Sequence, residues 1–173
     1  MAFDMKSRLA TANLALALVL GTGMIGASPV CFAQEHPVQK QIYDEKANAH
    51  VEIKEALAKA NAQRKRVIVV FGANWCFDCH VLDDAFHKPQ LASIIAANYE
   101  VVHIDIGKGE KNQDLMDKYE VPMKRGIPGL AVLDPNGKLV YSQKNGEFEN
   151  ARAMSQDDFV AFLNKWKPSA RND

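Results

Sequence analysis

Val67-Ile68-Val69-Val70-Phe71-Gly72-Ala73-Asn74-Trp75-Cys76-Phe77-Asp78-Cys79-His80 carries two signals back to back. The first five residues form an unbroken apolar run, mostly β-branched, as expected of a strand covered on both faces. Gly72-Ala73-Asn74 ends it. Beyond Cys79, Val81, Leu82, Ala85 and Phe86 recur at helical spacing. The C-x-x-C pair therefore lies where a strand gives way to a helix. Backbone N–H groups at a helix start lack partners and carry partial positive charge. A thiolate placed there is stabilised, which predicts a lowered pKa for Cys76 and a usable nucleophile near neutral pH. Cys79, one turn further in, points back toward Cys76 and can resolve a mixed disulfide. The expectation is an exposed, attacking Cys76 and a sheltered, resolving Cys79.

Outward from this segment, helices and strands alternate. Before it, Ile42 to Ala62 is rich in Ala, Glu, Lys and Gln, with Val51, Ile53, Leu57 and Ala60 near helical period. This predicts a helix over about 42–62. Arg64-Lys65-Arg66 reads as its solvated basic stop. After it, Pro89 marks a helix end or kink, and Leu91 to Ala97 is helical again. Val101 to Ile106 reads as a second buried strand, Gly107 to Glu110 as a turn and Asn112 to Tyr119 as a short helix. A loop with two prolines runs from Val121 to Pro128. Leu130 to Leu133 and Lys138 to Tyr141 flank the turn signal Asp134-Pro135-Asn136-Gly137 and so form a hairpin. Ser155, with Asp158 three residues on, caps a last helix whose apolar face holds Phe159, Val160, Phe162, Leu163 and Trp166; Pro168 ends it. The pattern predicts an α/β fold: a central mixed sheet of about four strands covered by helices on both faces.

The 173-residue chain has room for one domain and a leader. Lys6 and Arg8, the apolar run Leu14 to Leu20 and the small-x-small end Cys31-Phe32-Ala33 predict a cleavable signal peptide over residues 1–33. The domain then spans 34–173, with its core at about 67–166. The apolar run falls short of the roughly 18 residues that favour a membrane span, so no stable membrane insertion is expected after cleavage. An uncleaved anchor and a lipoprotein modified at Cys31 are the alternatives, the second weakened by Ser28-Pro29-Val30 before that cysteine. Export places the protein in the periplasm or outside the cell. Cleavage leaves only Cys76 and Cys79, in a compartment where a disulfide forms readily.

Net charge is +0 and the sequence pI about 7.0, so no basic field draws the chain to nucleic acid. The cysteine pair has three other uses open to it. A zinc half-site lacks a second ligand pair, although His80 beside Cys79 keeps open a metal-binding or delivery module built on Cys76, Cys79 and His80. A structural disulfide would close a very short loop and gain little. A thiol peroxidase would need a dedicated environment for one cysteine. No cofactor is expected, and a monomer is the default.

With Phe71, the Trp75-Cys76-x-x-Cys79 segment resembles the thioredoxin active-site segment, and Arg125-Gly126-Ile127-Pro128, followed by an apolar strand and the Asn136-Gly137 turn, resembles that family's cis-proline loop. The likeness covers about Val67 to Trp166. Its longer link and exported setting are closer to periplasmic thioredoxin-like reductase domains than to the small cytosolic thioredoxins. The resemblance implies a thioredoxin-like fold and a protein-disulfide reductase or thiol–disulfide oxidoreductase. Cys76 and Cys79 would be catalytic. Trp75, Ile127 and Pro128 would bind substrate, with a cis bond before Pro128 and the Ile127 backbone pairing with a bound peptide. Disulfide-containing or dithiol client proteins, and an upstream electron donor, would be the partners. The chain also departs from the family. Val70 stands where many members carry a buried Asp, and His103 stands where the partner Lys of that acid is usual. His103 then reads as a strand histidine, with proton transfer to Cys79 through His103, Asp78 or solvent as the hypothesis. Phe77 and Asp78 replace Gly-Pro between the cysteines. The Asp78 carboxylate beside the pair opposes the Cys76 thiolate by like-charge repulsion, which predicts a more reducing, reductant-like couple.

Overall fold

The computed structural model describes residues 40–169. The leader expected over 1–33 lies outside the described residues. The apolar run from the opening segment forms β1 (Arg66–Gly72), buried at every position after Arg66. It is the inner strand its composition demands: β2 (Tyr99–Asp105) pairs with it in parallel on one side, and β3 (Gly129–Leu133) antiparallel on the other. β4 (Leu139–Ser142) closes the order β2-β1-β3-β4. The β3–β4 turn is built as its residues predict. The Asp134 carboxylate accepts from the Asn136 and Lys138 amides, and Gly137 takes a left-handed φ of 84°.

Successive side chains on β1 face opposite ways and seed two cores. Val67, Val69 and Phe71 pack with α1 (Ala49–Gln63) and α4 (Gln113–Lys118). Ile68 and Val70 pack with α2 (Phe77–Phe86), α3 (Pro89–Asn98) and α5 (Gln156–Trp166). Pro89 opens α3, a position where its missing N–H costs nothing. Ser155 and Asp158 close a reciprocal capping box on α5.

Two expectations change. The first helix starts at Ala49, not near Ile42, because the Asn48 side chain accepts from the His50 and Val51 amides and fixes the N-terminus there. Residues 41–45 instead form an irregular strap with Tyr43 buried beneath it. The basic triplet is also more than a solvated stop. Arg64 is a left-handed helix cap, Lys65 pairs with Glu100 at 3.2 Å, and Arg66 starts β1 and donates to the Trp166 carbonyl at 2.7 Å.

Candidate functional site

The end of β1 delivers the chain to the N-terminus of α2, where Cys76 is the cap residue. Its Sγ accepts from the Cys79 amide at 3.1 Å, an orphan donor of the first turn. The two sulfurs form a disulfide with Cα atoms 5.3 Å apart. Across from the pair, the loop before β3 brings the Ile127 carbonyl to 3.7 Å from Cys76 Sγ, and the Ile127–Pro128 peptide is cis. The buried Gln143 side chain holds this loop from behind, accepting from the Leu130 amide and donating to the Pro128 carbonyl. Nothing in the sequence around Gln143 advertises that duty.

Trp75, Cys76, Phe77, Asp78, Cys79, Ile127 and Pro128 thus share one site. Trp75 and Phe77 are each 60% exposed and form an apolar rim, with the Trp75 ring fixed by donation to the Gly107 carbonyl at 2.8 Å. Cys76 itself is only 4% exposed, which corrects the expectation of an open nucleophile. In the disulfide, it is packed in a cluster with Tyr43, Ile42 and Ile127. His103 sits apart from this rim, on β2. It meets the Tyr43 ring edge-on at 5.4 Å, and its Nε2 lies 3.7 Å from Asp83 Oδ1. Burial pushes its pKa down, against the pull of Asp83.

Asp78 is not the bare carboxylate that the spacing suggested. It is buried and gripped by Arg152, whose backbone amide donates to Oδ1 at 2.9 Å and whose guanidinium donates to both oxygens. Those hydrogen bonds hold the Asp78 carboxyl below the usual carboxylate range. The pair is neutral as a unit, so Asp78 neither repels the Cys76 thiolate as a lone charge nor serves as a base. With no lone charge beside the pair, Asp78 does not make the couple more reducing. Arg152 also lies over the Phe77 ring, 5.0 Å from its centroid. Arg152 is 74 residues from Asp78 in sequence, and only the fold brings them together.

Sequence reasoning missed a second constellation, on the Cys79 side. Asn74, taken only as a strand breaker, is buried and staples the strap. Its Oδ1 accepts from the Ile42 and Tyr43 amides, both at 3.0 Å. Its Nδ2 is shared among Gln41 Oε1, the Tyr43 carbonyl and Glu45 Oε1 at 2.7, 3.0 and 2.9 Å. Tyr43 is thereby packed with Cys76 and Cys79. Gly72 makes room: a Cβ there would lie 2.2 Å from Tyr43 Oη and 2.7 Å from Cys79 Sγ. Asp83, one turn beyond Cys79 on α2, is buried and bound by Lys40 Nζ at 2.5 Å. His80 turns to the Asn74 carbonyl at 2.7 Å. Among the described residues, no three His, Cys, Asp or Glu side chains are grouped to hold one metal ion.

Comparison with known proteins meets this geometry. The thioredoxin-like family matches residues 48–135, just over half of the chain. The chain belongs to the thioredoxin-like family. A disulphide isomerase from Xylella fastidiosa is similar at 40% identity, covering 73% of this chain and 96% of that one, with a TM-score of 0.69. A thiol:disulfide interchange protein DsbD of Pseudomonas fluorescens is 26% identical over 117 residues, 66% of this chain but 18% of the relative. DsbD 2 of Pseudomonas aeruginosa is similar at 25% over 118 residues. The chain spans about a fifth of the length of these interchange proteins. Within the family fold, Cys76–Cys79 is a C-x-x-C dithiol–disulfide pair suited to redox exchange.

Proposed function

We propose that this protein is a periplasmic thiol–disulfide oxidoreductase that reduces or reshuffles disulfides in client proteins. The observation that carries this reading is the placement of the Cys76–Cys79 pair. It lies at a helix N-terminus, opposite the Ile127 carbonyl, inside an exposed apolar rim. The names of the relatives, an isomerase and two interchange proteins, agree with it. Among the described residues no helix is long and apolar enough to cross a membrane.

In the reduced protein, Cys76 Sγ attacks a client disulfide. The Cys79 amide, already aimed at that sulfur, stabilises it as a thiolate. One client sulfur leaves as a thiolate, and Cys76 holds the other in a mixed disulfide. Cys79 Sγ then attacks Cys76 Sγ, releases the client's second sulfur and restores the internal disulfide. Trp75 and Phe77 supply apolar contact for an extended client segment, and the Ile127 backbone supplies polar contact. An upstream dithiol donor re-reduces the pair. The metal-delivery reading gains no support, since His80 is engaged with Asn74.

The test uses the full chain with insulin as the disulfide probe. The wild type should accelerate insulin reduction by dithiothreitol. Cys79→Ser should accumulate a covalent adduct through Cys76 that dithiothreitol releases. An inactive wild type and no adduct would overturn the reading.

A further inference from the structure

Among the described residues, one buried side-chain polar atom has no hydrogen-bond partner: the Tyr43 hydroxyl. Tyr43 is 2% exposed, so bulk solvent does not reach its hydroxyl. A buried, unpaired hydroxyl is a standing cost to the fold that holds it. Its position suggests what offsets that cost. Oη and Cys79 Sγ lie 2.2 and 2.7 Å from the same point, the place a Cβ on Gly72 would occupy. The phenol oxygen and the resolving sulfur are therefore no farther apart than the sum of those distances. Asn74 fixes the strap that carries Tyr43 through both its amide and its carbonyl. The orphan is held in place, and it is packed with the Cys79 sulfur.

In the disulfide state Cys79 Sγ carries no charge and is a poor acceptor. When the disulfide opens, the same sulfur becomes a thiol and, at the moment of resolution, a thiolate. We propose that the Tyr43 hydroxyl is the hydrogen-bond donor that receives Cys79 as a thiolate while it resolves the mixed disulfide. This rests on reading Cys79 as the resolving sulfur. The step balances without an added oxidant or reductant. The bond between Cys76 and the bound thiol breaks, the Cys76–Cys79 bond forms, and the proton lost by Cys79 ends on the departing thiol.

The surroundings keep Tyr43 a donor. Burial above all, and then the charges of Asp83 on α2 and Asp105 on β2, disfavour a phenolate and push the phenol far above its usual range. His103 on β2 faces the ring edge-on. Its pKa is lowered, so it adds no fixed positive charge near neutral pH. Lys40 and His87 approach Asp83 rather than the phenol. A tyrosine so placed cannot act as a base, but it can stabilise an adjacent anion. The family position usually held by a buried acid is Val70 here, in register with His103 on β2. Tyr43 enters from a different part of the chain, and it helps Cys79 by stabilising the anion rather than by taking the proton.

The experiment mixes the reduced protein rapidly with oxidised glutathione and follows Trp fluorescence, which Trp75 beside Cys76 makes sensitive to the sulfur. A first phase, dependent on glutathione concentration, reports attack by Cys76. A second, independent of it, reports resolution by Cys79. Tyr43→Phe should slow the second phase about tenfold at pH 7 and move its pH inflection upward, the scale of a lost hydrogen bond to a charged group. The oxidised Tyr43→Phe protein should melt at the same temperature or higher, because an unpaired buried hydroxyl has been removed. A merely structural Tyr43 would show the reverse: lower melting and an unmoved inflection. That result, or an unchanged second phase, would overturn the proposal. Cys79→Ser separates the two readings. If the second phase survives in that variant, the role of Cys79 is wrong; if it vanishes while Tyr43→Phe behaves as wild type, only the role of Tyr43 is wrong.

Discussion

The two sulfurs stand one helical turn apart, yet their surroundings are built differently. Cys76 faces a rim of exposed aromatics, the Ile127 carbonyl and a neutralised Asp78–Arg152 pair. Cys79 faces the interior, with Gly72 and the Tyr43 hydroxyl against it and Asp83 one turn further along α2. The rim side is polar where it is charged and apolar where it is open, as a docking surface should be. The inner side is buried, and its one unpaired group among the described residues is the Tyr43 hydroxyl packed with Cys79. The difference teaches that a C-x-x-C pair has two tunable ends. The motif specifies their spacing, while each end takes its character from elsewhere in the chain.

The largest way to break the contrast is to fill the gap that separates the inner sulfur from the strap. Gly72→Ala places a Cβ against both Tyr43 Oη and Cys79 Sγ. Overpacking of this kind should cost about 1–3 kcal/mol. A melting curve should show it as a drop of several degrees, with the Cys79 phase of exchange disturbed more than the Cys76 phase. An undisturbed variant would mean that the strap yields freely and that the inner side is not a fixed environment.

The rim is probed by removing its brace. In Arg152→Ala the Asp78 carboxylate loses its partner next to Cys76, and its charge then opposes the thiolate. The Cys76 pKa, followed by thiolate absorbance, should rise by about one unit, as for like charges in close range. The Asp78→Asn, Arg152→Ala double variant should restore it. The acid limb moves as well. Asp78 has a depressed carboxyl in the folded state, so it adds stability above the unfolded carboxylate range, and that stability is lost as pH falls through its folded value. Arg152→Ala should therefore unfold at a higher pH than the wild type. Tyr43→Phe should leave Cys76 alone, and Arg152→Ala should leave the Cys79 phase alone. Crossed effects would merge the two ends into one electrostatic unit.

The smallest effect belongs to His103. Its folded pKa is lowered, so the unfolded chain binds more protons below the ordinary histidine value. Stability should fall as pH drops below about 6.5, until the folded value is reached. His103→Gln should flatten that part of the stability–pH curve. If the variant also shifts the pH–rate profile of exchange, His103 takes part in the chemistry after all.

Much of this was legible beforehand because it is local. The run from Val67 to Phe71 could only be an inner strand, and the cap at Ser155 and the turn at Asp134 to Gly137 announce themselves within a few residues. The Cys76–Cys79 pair and the Ile127–Pro128 loop could be matched as motifs. What could not be read depends on distant partners. Asp78 looked like a lone charge because Arg152 comes to it only through the fold. Residues 42–45 looked helical because the stretch they open has a helical composition; the Asn48 cap and the Asn74 staple outbid that propensity. Gly72 looked like a strand breaker, and its real constraint is what lies on the far side of its missing Cβ.

The family match runs from residue 48 to 135, and both tuning devices lie beyond its ends: Tyr43 before it, Arg152 after it. The shared core supplies the reacting atoms, while short flanking pieces set how each sulfur behaves. In this chain the strap of residues 41–45 and the turn Ala151–Ala153 before the last helix therefore reach the two sulfurs from outside the matched region.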